Sequence, residues 1–201
     1  MNDKRPTLRQ RQSQATRSLI VETARALFLE RGYTNTTIEN IADQAGVAAS
    51  TIYAIFSSKR GILSAIREPW HSQTQIREFL ASDQHDVEPA IRLERLAQAT
   101  RLQWEAGMEV IAIYRSAAAA DREAAAELTL ALEGRRKGLD AFSRSLEPYL
   151  RPGLDGQQAS DILRTLCQAE VYEELVKRSG WMPEAYTTWL AAALKRELLT
   201  A

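Results

Sequence analysis

The side chains best suited to covalent, metal or proton-transfer chemistry are few in this sequence. There is one cysteine, Cys167, and there are two histidines, His71 and His85. Neither histidine has a second ligand at i+4 or a similar spacing, and no motif pairs Cys167 with a base. The sequence also lacks a G-x-S-x-G elbow and a glycine-rich phosphate loop. We therefore expect a protein that is not an enzyme, binds no metal and needs no cofactor, with Cys167 as an inert thiol in the core.

Charge is distributed unevenly along the chain, although the net charge is zero. Residues 1–60 carry nine Lys or Arg against five Asp or Glu, whereas the remainder carries seventeen against twenty-one. A basic front indicates a polyanion partner for that part, but a solvated face with a chance imbalance would give the same count. No signal peptide and no apolar run near the ~20 residues that cross a bilayer are found. We expect a cytoplasmic protein with no membrane partner.

Helix-forming residues dominate the sequence, and no stretch alternates as a β-strand would. The first helix is predicted to end at Gly32, because glycine is a common helix terminator. A capping box, with Thr36 at the N-cap and Glu39 three residues later, opens a second helix that Gly46 ends. Further helices are predicted at about 48–55, 58–67, 88–105, 109–120, 122–147, 157–179 and 183–199.

This order of elements predicts an all-α chain in three parts. Residues 1–15 form a basic flexible tail, residues 16–66 a three-helix unit, and residues 67–201 a larger helical domain. In the small unit, two short helices joined at Gly46 have the pattern of a helix-turn-helix, and small residues on the second helix would let it enter the major groove of DNA. A three-helix packing unit that binds no nucleic acid would show the same periodicity.

The stretch LFLERGYTNTTIENIADQAGVAASTIYAIFSSKRGIL, from Leu27 to Leu63, resembles the DNA-binding domain of the TetR family of bacterial transcription regulators. The resemblance covers about residues 16–66. It rests on the Gly32-Tyr33 corner, the Thr36-Thr37 pair and the residues around Gly46, Tyr53 and Lys59 taken together. The remainder is similar to the family only in being helical and of compatible length, apart from a likeness of its last two helices.

The resemblance implies a homodimer that binds a double-stranded DNA operator. It assigns phosphate contacts to Thr37, Tyr53 and Lys59. It also implies that four small residues of the helix after Gly46 face the bases; these are Ala49, Ser50, Thr51 and Ala54. This sequence departs from the family at Ala48, where a serine commonly caps the helix, and at Ser50 and Ile55. The departures put one family contact in doubt and predict modest direct reading of bases. The basic tail could also follow the DNA backbone, or it could be a solvated leader.

Two apolar stripes near the end of the chain are candidates for the dimer interface. They contain Ile162, Leu166, Tyr186, Trp189, Leu190 and Ala193. Two such helices from each subunit could form a four-helix interface, although the same stripes could face the chain's own core. Bulky residues in the central helices are candidates for a small-molecule pocket; these are Trp104, Met108, Tyr114 and Phe142. Aromatic residues at helical spacing are also common in plain cores.

The sequence thus favours a sequence-specific DNA-binding transcription regulator, in the form of a repressor released from its operator by a small, mainly apolar ligand. The alternatives left open are an activator, or a ligand-binding helical protein, with weakened operator reading. An enzyme would require chemistry that no motif reveals, and a DNA-coating protein would be basic throughout.

Overall fold

The computed structural model describes residues 7–71 and 87–200, and within them the chain is all-α, which confirms the predicted fold class. Apart from an isolated bridge between Leu150 and Leu199, the described backbone forms helices and their connections. In chain order the α-helices are α1 (Leu8–Arg31), α2 (Ile38–Ala45), α3 (Ala49–Phe56), α4 (Lys59–His71), α5 (Pro89–Ala118), α6 (Arg122–Arg144), α7 (Gly156–Leu166), α8 (Ala169–Tyr172) and α9 (Pro183–Leu198).

Helix α1 begins much earlier than the sequence predicted. Thr7 and Gln10 form a reciprocal capping box, in which the Thr7 side chain accepts from the Gln10 N–H at 3.2 Å and the Gln10 side chain accepts from the Thr7 N–H at 2.7 Å. The flexible tail predicted for residues 1–15 is therefore wrong from Leu8 onward, because this cap starts an exposed helix there. The tail residues before Thr7 lie outside the described part of the chain.

Helix α2 is capped by Thr37 rather than by Thr36. The Thr37 hydroxyl accepts from the Asn40 N–H, and the Asn40 side chain accepts from the Thr37 N–H, both at 3.1 Å. Thr36 is fully buried and donates its hydroxyl to the carbonyl of Gly32 at 2.9 Å. The capping box predicted for Thr36 and Glu39 is thus shifted by one residue. Gly46 ends the helix in the left-handed region, at φ 66°, as its role in the turn requires.

The connection from α3 to α4 is tight. Ser57 has a positive φ of 64°, and the Ser58 hydroxyl accepts from the Gly61 N–H at 3.1 Å, so Ser58 caps α4. A Cβ on Gly61 would stand 1.9 Å from the carbonyl oxygen of Phe56. No real side chain tolerates that distance, so only glycine fits at this position.

The described residues group into two compact units that do not follow the predicted boundary at residues 66 and 67. The first unit runs to Trp70 and includes Glu109–Leu128; the second takes in the described residues of His71–Met108 and Thr129–Ala201. Helix α5 therefore contributes to both units, and the helices predicted at 88–105 and 109–120 are one continuous helix. The functional division at residue 66 stays a prediction.

The second unit contains one interruption that the sequence did not indicate. The helix predicted over residues 157–179 ends at Leu166, and Gln168 is extended before α8 begins. Helix α8 continues directly into a π-helix at Glu173–Arg178. Among the described helices, none is long and apolar enough to cross a membrane.

Candidate nucleic-acid interface

Helix α3 presents a free outer face. Its inner residues Ile52 and Phe56 are buried in the first unit, at 0% and 6% exposure, whereas Tyr53 is 48% exposed. The four residues assigned to base contacts are all at least partly exposed; they are Ala49, Ser50, Thr51 and Ala54. The helix is thus oriented so that the predicted reading face is available. Contact of these side chains with bases stays a prediction.

The N-terminus of α3 lacks a side-chain cap, as the sequence predicted. Ala48 occupies the N-cap position in extended conformation, and no side chain caps the first turn. Residues at this position usually satisfy one of the first backbone N–H groups, at a value of about 1 kcal/mol. Because α3 has no such cap, its first backbone N–H groups keep their partial positive charge at the exposed end of the helix, where an anion is favoured.

Thr37 is placed well for the phosphate contact assigned to it. It is exposed at the start of α2, and its hydroxyl oxygen already accepts from the Asn40 N–H at 3.1 Å. A threonine hydroxyl has one donor proton as well as its acceptor sites. The oxygen can therefore cap the helix while the proton donates to a phosphate, so the two roles are compatible.

Lys59 stands at the start of α4 and is held by contacts within the protein. Its ammonium donates to the carbonyl oxygens of Tyr33 and Thr36, both at 2.9 Å, and lies 4.2 Å from the centre of the Tyr33 ring. Burial lowers the pKa of Lys59. Two of its three donors are therefore engaged within the protein. This side chain therefore ties α4 to the turn that precedes α2, and the phosphate contact assigned to Lys59 stays a prediction for its third donor.

Tyr33 is the centre of a network that sequence reasoning missed. Its backbone N–H donates to the Ser116 hydroxyl at 3.1 Å, and its phenol donates to a carboxylate oxygen of Asp121 at 3.5 Å. Burial, reinforced by the charge of Asp121, raises the pKa of Tyr33 to about 12. The Gly32-Tyr33 corner was visible in the sequence, but its partners lie more than 80 residues away and have no local signal.

Helix α4 is fixed to the same part of the first unit. The Tyr114 hydroxyl donates to Glu127 at 2.8 Å and to the Leu63 carbonyl at 3.4 Å, and Arg67 pairs with Glu127 at 3.5 Å. Arg60 also forms an ion pair, with Glu123. Tyr114 was predicted to line a ligand pocket with residues that now belong to the other unit. Its contacts within the first unit instead give it a structural role against α4.

The other three pocket candidates lie in the second unit. Trp104 is 1% exposed and Phe142 is 4% exposed, whereas Met108 is partly exposed. The indole N–H of Trp104 donates to the Cys167 carbonyl at 2.9 Å, and the Arg92 guanidinium lies 5.3 Å from the centre of the Phe142 ring. Their contact with a ligand stays a prediction. Cys167 is fully buried, and burial raises the pKa of its thiol, as expected of an inert core cysteine.

The residues predicted to form the dimer interface divide into two groups. Tyr186, Leu190 and Ala193 are buried in the chain's own core, at 0%, 0% and 2% exposure. For these three the prediction needs correction, because a side chain already enclosed by its own chain offers no surface to a partner. The three that keep exposed surface, and remain predictions, are Ile162, Leu166 and Trp189.

Metal ligands are not gathered within the described residues. No group of three or more His, Cys, Asp or Glu side chains there could hold an ion. His85 and the side chain of His71 lie outside what the structure describes.

Helices α2 and α3, joined by the turn at Gly46, form a helix-turn-helix whose second helix has an exposed outer face. Residues 20–66 match the model of the family described as bacterial regulatory proteins, tetR family. This match confirms the resemblance to the TetR family over residues 20–66. The regulator TcmR of Streptomyces glaucescens is 37% identical over 76 residues, which are 36% of this chain and 34% of TcmR.

Similarity to solved structures extends through most of the chain. NalD, described as the secondary repressor of the MexAB-OprM multidrug efflux pump in Pseudomonas aeruginosa, aligns with a TM-score of 0.71 and 24% identity, covering 93% of this chain and 98% of NalD. A complex of triclosan with SmeT, a repressor from Stenotrophomonas maltophilia, aligns with a TM-score of 0.70 and 20% identity over 93% of each chain. At such identities the likeness shows the fold. The chain spans about a third of the length of the first curated relatives that it matches by sequence.

Proposed function

We propose that this protein is a sequence-specific DNA-binding repressor that acts in the cytoplasm as a homodimer and releases its operator on binding a small molecule. The observation that carries the proposal is the exposed face of α3, presented by a helix whose inner residues Ile52 and Phe56 are buried. The names of the relatives support it, since NalD and SmeT are described as repressors and SmeT is found with triclosan.

The residues around the outer face of α3 support the same proposal. Thr37 stands at an exposed helix start and Tyr53 presents its phenol to solvent, so both can donate to phosphates on either side of a groove. Lys59 and Tyr33 hold the turn before α2 in place. Phosphate contacts position such a domain, and the small residues of α3 leave room for close approach to base edges.

Release by a ligand needs a route from the larger helical part to the helix-turn-helix. Helix α5 supplies one, because it carries Trp104 in the second unit and Tyr114 in the first. Tyr114 in turn contacts the carbonyl of Leu63 on α4, which follows the recognition helix directly. We infer that a shift of α5 on ligand binding is passed to α4. A ligand that prefers the DNA-free arrangement tenfold would weaken DNA binding by about 1.4 kcal/mol.

The dimer is proposed from an exposed apolar patch beside α9. Trp181 is 37% exposed and Met182 is 68% exposed, and the Trp181 ring lies 6.1 Å from that of the partly exposed Trp189. Large apolar side chains clustered at a surface mark association sites. A dimer is also what paired half-sites on DNA require.

The test of the proposed function is selection of duplexes from random DNA by the full-length protein, followed by anisotropy with the selected and a scrambled sequence. Ala54→Glu places a negative charge on the outer face of α3 and should abolish binding. Ala126→Glu is the matched control, because Ala126 is also an exposed helical alanine of the first unit. Failure to enrich any sequence, or equal effects of the two variants, would reject DNA reading by α3.

A further inference from the structure

The interruption between α7 and α8 places a hydrogen-bonding backbone carbonyl inside the second unit. Because the helix ends there, the carbonyl of Cys167 accepts from two side chains, the Trp104 indole N–H at 2.9 Å and the Arg135 guanidinium at 3.0 Å. The π-helix at Glu173–Arg178 follows within a few residues. Irregular helix of this kind occurs often at functional sites.

Arg135 carries a charge that no acid balances among the described residues. Its guanidinium donates to the Cys167 carbonyl, to the Thr100 hydroxyl at 3.2 Å and to the side-chain oxygen of Gln103, all neutral acceptors. It lies 4.7 Å from the centre of the Trp104 ring. In the same unit, by contrast, Arg164 pairs with Asp140 at 3.2 Å. Burial lowers the pKa of Arg135, since the charged form is desolvated.

The donors of Arg135 are not exhausted by these contacts. A guanidinium has five N–H groups, and three hydrogen bonds leave two of them for another acceptor. The side chain is fixed by a stacked ring and three bonds, so its remaining donors are preorganised. The residue also keeps part of its surface exposed, so a ligand can reach it.

A second, independent observation concerns Tyr186. This residue is 0% exposed, and its hydroxyl has no hydrogen-bond partner among the described residues. Buried hydroxyls are normally satisfied, so an orphan calls for an explanation. Arg135 and Cys167 lie near enough to Tyr186 to affect the pKa of its phenol. Its ring is 5.0 Å from that of Tyr172 and 6.1 Å from that of Trp189.

We propose that the second unit binds an amphipathic organic acid, whose carboxylate accepts from Arg135 and from the Tyr186 hydroxyl. The carboxylate would supply the charge that Arg135 lacks and the acceptor that Tyr186 lacks. The apolar body of the acid would lie against aromatic rings of the same unit, Trp104 and Tyr172. The proposal rests on the ligand-released function proposed above and specifies its small molecule as an acid, in place of the mainly apolar ligand predicted from the sequence.

The experiment compares acids with neutral molecules of the same shape on the full-length protein. Decanoate and 2-naphthoate are titrated beside 1-decanol and 2-naphthamide, with inorganic phosphate as a simple anion, using calorimetry and tryptophan fluorescence. We expect each acid to bind at least tenfold more tightly than its neutral counterpart. Equal binding of acid and neutral probe, no binding of either acid, or equally tight binding of inorganic phosphate would overturn the proposal.

Two variants locate the site. Arg135→Gln should weaken binding of the acids at least tenfold and leave the neutral probes unchanged, whereas Arg136→Gln, at the adjacent exposed position, should change neither. Equal losses in the two variants would reject Arg135. Because Arg135→Gln also removes structural bonds, Tyr186→Phe is measured as well; it should keep the melting temperature, since the hydroxyl has no partner, and weaken the acids selectively. Unchanged acid binding in Tyr186→Phe would reject the two-residue site.

Failure of the proposed acid site can be distinguished from failure of the proposed function. If the acids bind as expected but leave DNA affinity unchanged, ligand release is refuted and the acid site stands. If the protein binds its operator but no acid, the acid site is refuted and the DNA-binding function stands. Both measurements use the same protein preparation, so a folding defect would appear in both.

Discussion

Replacing Lys59 by methionine tests whether this residue positions the helix-turn-helix or contacts DNA. The substitution keeps an unbranched side chain of similar length but removes the ammonium that donates to the carbonyls of Tyr33 and Thr36 at 2.9 Å. We expect the first effect on stability, because the turn before α2 loses its tie to α4.

The magnitude follows from the two bonds. Hydrogen bonds to charged groups contribute about 1.5–3 kcal/mol each. The lower end applies here, because burial also costs the ammonium part of its solvation, as its lowered pKa shows. The two bonds together then contribute about 3 kcal/mol. For a chain of this size that loss lowers the melting temperature by about 6–12 °C.

The assay combines thermal unfolding with the salt dependence of DNA binding. A positioning residue should weaken DNA binding without changing the slope against salt, whereas loss of a phosphate contact lowers that slope by about 0.9. Lys137→Met, at an exposed position of the second unit, controls for the lost charge. Tyr53→Phe controls for a surface DNA contact and should leave the melting temperature unchanged. A Lys59→Met protein with unchanged melting temperature and a slope lower by about one would refute the positioning role.

Three further outcomes are expected. Ala48→Ser should supply the missing cap of α3 and stabilise the protein by about 1 kcal/mol in urea unfolding; no gain would mean that this position does not cap the helix. The raised pKa of Tyr33, from 10.0 to about 12, favours the neutral phenol in the folded state, so its contribution is complete below pH 10 and is lost as the pH rises toward 12. That loss is about 3 kcal/mol at most, with about half of it present at pH 11. Tyr33→Phe should remove that half when urea unfolding is compared at pH 8 and pH 11; an unchanged alkaline loss would assign it to other groups. Sedimentation should give twice the chain mass of 22.5 kDa for the native protein and a smaller species for Trp189→Glu, while Lys177→Glu serves as the surface control; a native monomer would reject the dimer.

The local features of the fold were predictable because local residues decide them. Gly32 and Gly46 end their helices as predicted, both with positive φ. The N-cap of α2 was misplaced by one residue because two adjacent threonines each have a polar residue three positions later. Burial of Thr36 decided between them, and burial depends on how α1 and α2 pack rather than on the sequence of the cap.

Features that depend on distant partners could not be predicted. The direction of the Lys59 side chain is set by carbonyls 23 and 26 positions earlier in the chain. Trp104 was singled out as a pocket residue, but its bond to the Cys167 carbonyl, 63 positions away, exists only because the predicted helix is interrupted there. The apolar stripe on α9 gave no means to separate side chains that face the chain's own core, such as Leu190, from those that keep exposed surface, such as Trp189.

The tight connection behind the recognition helix bears on how new operator specificities could be engineered. The five outward residues of α3 can be randomised as a cassette, since their side chains carry none of the core; they are Ala49, Ser50, Thr51, Tyr53 and Ala54. Gly61 must be left out of any such library, because its Cα faces the Phe56 carbonyl too closely for any added carbon. Ser58, whose hydroxyl accepts from the Gly61 N–H, should be kept with it. A deep mutational scan should therefore show tolerance at these five positions, intolerance at the buried Ile52 and Phe56 between and after them, and intolerance again at Ser58 and Gly61.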